Sequence, residues 1–358
     1  MKSCRRSPRQ PLGACLPWES PPCGPAPRLG LMGSAIDITQ CSELLRITRN
    51  SVIESRHYGA AVVLDPAGQV LEAIGDPEAL IFPRSALKPF QAIGSLRAGA
   101  ALESAQLALA CASHLGTEQH QLLARSVLDS VKLGEEHLQC PASWPGDSAT
   151  RSEMAARGQS QNKLAFNCSG KHAAFLAAAA ASGEPLGSYL SPEHPVQLSA
   201  FRAMEEFCGP ITFLGVDGCG APAPQMSLRS LAEGFRKLAV STDPAARSVA
   251  SAMREHPWAV RGAGSPNTLV IESTGIIAKL GAEGVLGMCA PNGVSVAVKI
   301  LDGASRGIDV LALGLLASHG ALSAQKLEEL SSRLGATAHT AGARTAGLCY
   351  LGRDFAAR

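Results

Sequence analysis

No apolar run in this 358-residue chain reaches the length of roughly twenty residues that a bilayer-crossing helix needs. The longest, Ala173 to Ala181 and Val310 to Ala317, are interrupted well before it, so no membrane role is expected. Basic runs are equally scarce in the body of the chain. The formal charge is +2 and charged residues make up 17%, with no Lys/Arg stripe able to follow a phosphate backbone, so nucleic acid is not an expected partner. The eleven cysteines lack the dense, regular spacing of a secreted disulfide scaffold, which points to a reducing cytosol. Internal repeats are absent. A leader peptide needs an apolar stretch of at least about seven residues. Between Arg5-Arg6 and Leu12-Gly13-Ala14-Cys15 stand Pro8, Arg9, Gln10 and Pro11 instead. Residues 1–35, rich in Pro, Arg and Gly and including Met32 as a candidate start, are expected to be disordered or mis-assigned sequence.

What the chain does contain is a pattern of strands near both ends and helices between them. Tyr58 to Gly75 alternates apolar residues around Asp65-Pro66-Ala67-Gly68, a hairpin signature. Three more β-rich runs follow from Ile276 to Leu301, separated by Gly-Ala-Glu-Gly and Pro291-Asn292-Gly293 turns. Helical periodicity covers Ser85 to Arg97, Ser104 to Ser113, Glu118 to Leu133, His172 to Ser182, Pro195 to Phe207 and Leu228 to Val240, with two more helices over Ile308 to Ser318 and Ser323 to Leu334. Pro141 to Asn162 has the composition of a long surface loop enclosing at most one short helix. The plan is α+β: an antiparallel sheet flanked by helices, its strands drawn from both ends of residues 36–358, with a helical lobe over about 100–260.

The first chemical candidate is Ser85-Ala86-Leu87-Lys88. A three-residue offset at a helix start puts hydroxyl and amine on one face, where a desolvated lysine can take the serine proton. Spacing alone is weak, because Ser160/Lys163 and Ser323/Lys326 repeat it. Context separates them: Lys88 is followed by Pro89, Phe90 and Gln91, bulky groups able to bury it, whereas Ser160 lies in a polar loop and Lys326 on a charged helix. Acyl-serine enzymes of the β-lactamase and transpeptidase type need two later parts, a second serine and a Lys-x-Gly on an edge strand. Ser113 and Lys279-Leu280-Gly281 stand in that order. Singly, Ser113 reads as a helix-end cap and Lys279 as a solvated strand residue; the ordered set favours catalysis.

Asn167-Cys168-Ser169-Gly170-Lys171-His172 and Val216-Asp217-Gly218-Cys219-Gly220 are two Gly-containing cysteine motifs without Cys-x-x-Cys spacing. By composition both cysteines read as buried small hydrophobes. The sharper alternative is a catalytic Cys168 with His172 as base.

Taken together, Phe82-Pro83-Arg84-Ser85-Ala86-Leu87-Lys88-Pro89, Ala110-Cys111-Ala112-Ser113-His114 and the two cysteine motifs resemble the thermolabile, rhizobial-type L-asparaginase family, the asparaginase II family, from about Ser51 to about Gly347. The resemblance implies a serine β-lactamase-like fold, a homodimer, and hydrolysis of L-asparagine to L-aspartate and ammonia. It implies Ser85 with Lys88 as nucleophile and base, Ser113 with Lys279 as a second pair, and a zinc-type ion on Cys168, Lys171 and Cys219. Asp217 would lie near the substrate amine, and Arg84 and His114 are candidate substrate contacts. Leu115 and Leu280 depart from the small polar residues expected there, and the stretch from Cys219 to Lys279 is short. Two other readings are open: a penicillin-interacting acyl-serine enzyme, and a non-catalytic zinc- or amino-acid-binding protein.

Overall fold

The computed structural model describes residues 36–50, 52–335, 337–339 and 345–351. Residues 1–35, for which disorder or mis-assignment is expected, lie outside the described residues.

Strand β1 (Ser42–Arg49) pairs antiparallel with β2 (Val52–Leu64), which turns at Asp65 into β3 (Val70–Ile74). The turn has a local chemical cause. The Asp65 carboxylate accepts the backbone N–H groups of Ala67 and Gln69, each at 2.8 Å, and Gly68 adopts a φ of 87° that a Cβ would disfavour. The hairpin expected here is therefore present. Two short strands follow apart from the main sheet: β4 (Leu80–Ile81) and β5 (Phe213–Val216) flank β6 (Pro222–Ser227). The chain returns to the main sheet as β7 (Ile277–Leu280), β8 (Val285–Cys289) and β9 (Ser295–Ile300). With β10 (Thr337–His339) and β11 (Thr345–Leu351), the order is β10-β11-β1-β2-β9-β8-β7, and β3 also pairs with β2. Every named pairing is antiparallel. Leu64 at the end of β2 aligns with Ser295 at the start of β9, so the first and last thirds of the chain close one sheet.

The helices are α1 (Lys88–Arg97), α2 (Ser104–Ala110), α3 (Glu118–Ser130), α4 (Ser148–Ala156), α5 (Ser169–Ser182) and α6 (Pro195–Cys208). They continue as α7 (Leu228–Val240), α8 (Pro244–Glu255), α9 (Pro257–Val260), α10 (Pro266–Thr274), α11 (Ile308–Ser318) and α12 (Ala324–Arg333). Both α7 and α11 lie against β8 and β9, which accounts for the continuous burial of those strands. The Ala-rich α5 is buried along Ser169–Ala179 and contacts α1, α2 and α3, its small side chains permitting close approach. This is the α+β architecture expected, an antiparallel sheet flanked by helices.

Three boundaries differ from expectation. Ser85 precedes α1 in a 3-10 turn, Arg84–Leu87. Helix α2 stops at Ala110, leaving Ser113 in a loop. Helix α5 begins three residues earlier, at Ser169, so Lys171 and His172 sit in its first turn. The loop expected over Pro141 to Asn162 does enclose one short helix: α4 spans nine residues and is started by Asp147, whose carboxylate accepts the Thr150 N–H at 2.8 Å.

Candidate active site

Strand β4 delivers the chain into Pro83-Arg84-Ser85, where Arg84 takes a φ of 54°. For a residue with a Cβ this left-handed conformation costs about 1–2 kcal/mol, so the surrounding structure must hold it. The Ala86 N–H closes the turn on Pro83 O at 3.1 Å. From the other side the end of β7 presses in. A Cβ on Gly281 would lie 2.3 Å from Pro83 O, so glycine is what lets the Lys279 strand meet the Ser85 turn. Ser85 is partly exposed, and among the described residues its hydroxyl has no hydrogen-bond partner.

Lys88 is wholly buried, yet its amine does not bond Ser85. It donates to Ala112 O, to Ser113 Oγ at 3.1 Å and to Cys168 Sγ at 3.1 Å. Lys279, 1% exposed, donates to the same Ser113 Oγ at 3.1 Å and to Leu280 O at 2.7 Å. One serine hydroxyl therefore lies between two buried amines. Burial, then the nearby positive charges of Lys88 and Arg261, push the Lys279 amine well below the ordinary lysine range, which makes it a proton acceptor. The structure thus brings Lys88, Ser113 and Lys279 into one hydrogen-bonded chain and leaves Ser85 beside it, one turn before Lys88.

Cys168 connects this chain to a second cluster. Lys171 donates to Cys219 Sγ at 3.2 Å. A hydrogen bond from the Cys219 thiol, opposed by burial and aided by Lys88 and Lys171, holds Cys168 well below the ordinary thiol range. Burial would discharge Lys171, but the sulfurs of Cys219 and Cys168 hold it above its usual value as an ammonium. His172 donates or accepts through Nδ1 with Tyr189 Oη at 2.7 Å, while its buried Nε2 lacks a hydrogen-bond partner. Among the described residues no group of three or more His, Cys, Asp or Glu side chains is disposed to hold a metal ion. The three ligands that the family resemblance implies include a lysine, and two buried thiols with one amine do converge here. That donor set suits a thiophilic ion such as zinc provided Lys171 gives up its proton.

Asp217 and Arg84 form an ion pair, with Nε and Nη2 donating to Oδ1 at 2.9 and 2.5 Å. Burial would raise the Asp217 carboxyl, but Lys171 and Arg84 hold it below its usual range. His114 is buried and fully engaged. Its Nε2 donates to Ser169 Oγ at 2.9 Å, the Ser169 hydroxyl donates to Leu164 O at 2.8 Å, and the Gly116 N–H donates to His114 Nδ1 at 3.0 Å. Both ring nitrogens are thus taken by protein groups. Burial, then His120 and Lys88, keep the ring well below the usual histidine pKa and therefore neutral.

Two residues near the site had no motif to announce them. Arg261 donates to Ser113 O at 3.1 Å, and Asp309 is a buried carboxylate in the first turn of an otherwise apolar helix. A lone acid opening so apolar a run was the available signal for Asp309; Arg261 had none. A cavity of about 560 Å³ between α3 and α4 is lined by none of the expected site residues.

Among solved structures, the chain is similar to Mglu in its native form, at 14% identity over 74% of this chain and 64% of that one, TM-score 0.40. It is similar to a β-lactamase from Mycobacterium bovis, at 16% identity over 74% and 95%, TM-score 0.40, and to a Bacillus glutaminase, at 13% over 74% and 91%, TM-score 0.35. The chain thus covers less than two thirds of the Mglu chain. No curated protein sequence matches it. Residues 45–348 match the L-asparaginase II family, and the chain belongs to that family of amidohydrolases.

Proposed function

We propose that the protein hydrolyses L-asparagine to L-aspartate and ammonia through an acyl-enzyme on Ser85. The observation that carries this reading is the Ser113 hydroxyl held between the Lys88 and Lys279 amines, beside the turn that carries Ser85; the family match supports the substrate. Lys88 takes the Ser85 proton as it passes one of its own through Ser113 to Lys279, whose depressed basicity as a cation suits it to give that proton on. The Ser85 oxygen attacks the side-chain amide carbon. Backbone N–H groups of the turn and the newly charged amine face the developing oxyanion. Ser113 then returns the proton to the departing nitrogen, ammonia leaves, and water releases aspartate by the reverse route.

Asp217 and Arg84 would meet the charged ammonium and carboxylate of the amino acid, exchanging their mutual pairing for the substrate's. His114, with both nitrogens engaged, supports the loop that carries Ser113. Cys168, Lys171 and Cys219 would hold a zinc ion, which when bound would add positive charge that orients the substrate. A cytosolic location is part of the reading and draws support from the seven free cysteines among the described residues; a homodimer rests on the family resemblance and is checked by light scattering.

The test is ammonia release from L-asparagine by the purified chain and by Ser85→Ala. The variant is expected to lose at least ~1000-fold in kcat with its unfolding temperature unchanged. A Ser85→Ala protein that keeps wild-type turnover sinks the assignment.

A further inference from the structure

The loop carrying Ser113 is tied to the residues that close α9. The Ser113 N–H donates to Val260 O at 3.1 Å, the Leu115 N–H to Arg261 O at 2.8 Å, and Arg261 Nη1 back to Ser113 O at 3.1 Å. All three bonds run between Ser113–Leu115 and Val260–Arg261. Only the Arg261 contact with Ser113 O comes from a side chain.

Asp309, in the first turn of α11, is 7% exposed, and its Oδ1 is buried without a hydrogen-bond partner. Asp309 is the charge that opposes the burial of the Arg261 guanidinium, and Arg261 in turn is the charge that opposes the burial of Asp309.

We propose that Arg261 is a positioning residue that fixes the Ser113 hydroxyl between the amines of Lys88 and Lys279. The inference rests on the Ser85 amidohydrolase reading. Two effects follow from one side chain. The guanidinium sets the Ser113 carbonyl, and hence the direction of its Oγ; it also adds positive charge near Lys279, which Lys88 augments and the Cys168 sulfur opposes. A shift of a few tenths of an ångström in Oγ would lengthen both 3.1 Å bonds and interrupt the proton route.

The experiment uses the full chain and a fluorophosphonate probe that labels activated serines. Labelling of Ser85 is followed by peptide mass across neutral and alkaline pH in wild type, Arg261→Met and Arg261→Lys. The methionine variant is expected to label about tenfold more slowly at neutral pH, as outer supporting residues commonly do, with its acid limb moved up by about one pH unit. Arg261→Lys, which keeps the charge and a donor, is expected to recover most of the rate, and that rescue separates positioning from a fold defect. A methionine variant with the wild-type rate and pH profile overturns the proposal, as does a lysine variant no better than methionine when both keep the wild-type unfolding temperature. Ammonia release from L-asparagine is measured in parallel. A wild-type chain that labels at Ser85 but releases none refutes the substrate, while the labelling profiles still decide the role of Arg261.

Discussion

At the scale of single residues, the offset between Ser85 and Lys88 named both partners, yet the hydrogen bond it led one to expect does not form. The reason is local. Arg84 at positive φ and the 3-10 turn over Arg84–Leu87 set Ser85 apart from the first turn of α1, and the Lys88 amine reaches Ala112, Ser113 and Cys168 instead. Spacing cannot show such a contact, because it joins residues about 25 and 80 positions apart in sequence. Cys168 and Cys219 likewise read as core residues by composition, and they are buried, 5% and 2% exposed; what composition hides is their pairing with Lys88 and Lys171. Asp309 gives a prediction at this scale. Burial, partly offset by Arg261, pushes its carboxyl from 3.8 up to about 6. The folded chain therefore keeps this proton over a range where the unfolded chain has lost it. Stability from this group falls as pH rises from about 4 to about 6, by on the order of 3 kcal/mol. Asp309→Asn is expected to flatten the urea midpoint over that window; a midpoint with the wild-type slope would show that Asp309 ionises normally.

Among the elements, those with local causes were legible. The hairpin at Asp65 and the strands from Ile277 to Ile300 follow turn chemistry and alternation. Strand β6 was not, because Pro222 and Pro224 argue against a strand. The structure resolves the conflict through pairing. The prolines stand opposite β5 only, at Val216 and Leu214, while β4 joins farther along, at Met226 and Ser227, so each proline has a side with no ladder to break. Helices α8, α9 and α10, each opening on a proline, were also missed, although proline is a favourable first helical residue, as in α6, which was expected from Pro195. The meeting of β7 with the Ser85 turn is the element contact on which the site depends. Gly281→Ala puts a methyl against Pro83 O, and the backbone must give way. The expected result is a loss of at least ~10-fold in kcat, with an unfolding temperature lowered by several degrees. Unchanged kcat would mean that the turn and the strand are not coupled.

For the molecule as a whole, the sheet built from both ends of the chain holds Lys279, while the helices between them hold Lys88 and carry the loop of Ser113. On the proposed mechanism activity is therefore a property of the closed fold, since neither half supplies both amines. No helix among the described residues is long and apolar enough to cross a membrane, in line with the short apolar runs of the sequence. The most direct test is to mix the protein with L-asparagine, quench in acid within the first turnovers, and map the digest by mass. The result expected is one aspartyl group esterified to the peptide containing Ser85, absent in Ser85→Ala and reduced in Ser113→Ala, where the proton no longer reaches the departing nitrogen. Ammonia released with no adduct on Ser85 in any of the three proteins, or an adduct on Cys168 instead, would contradict it.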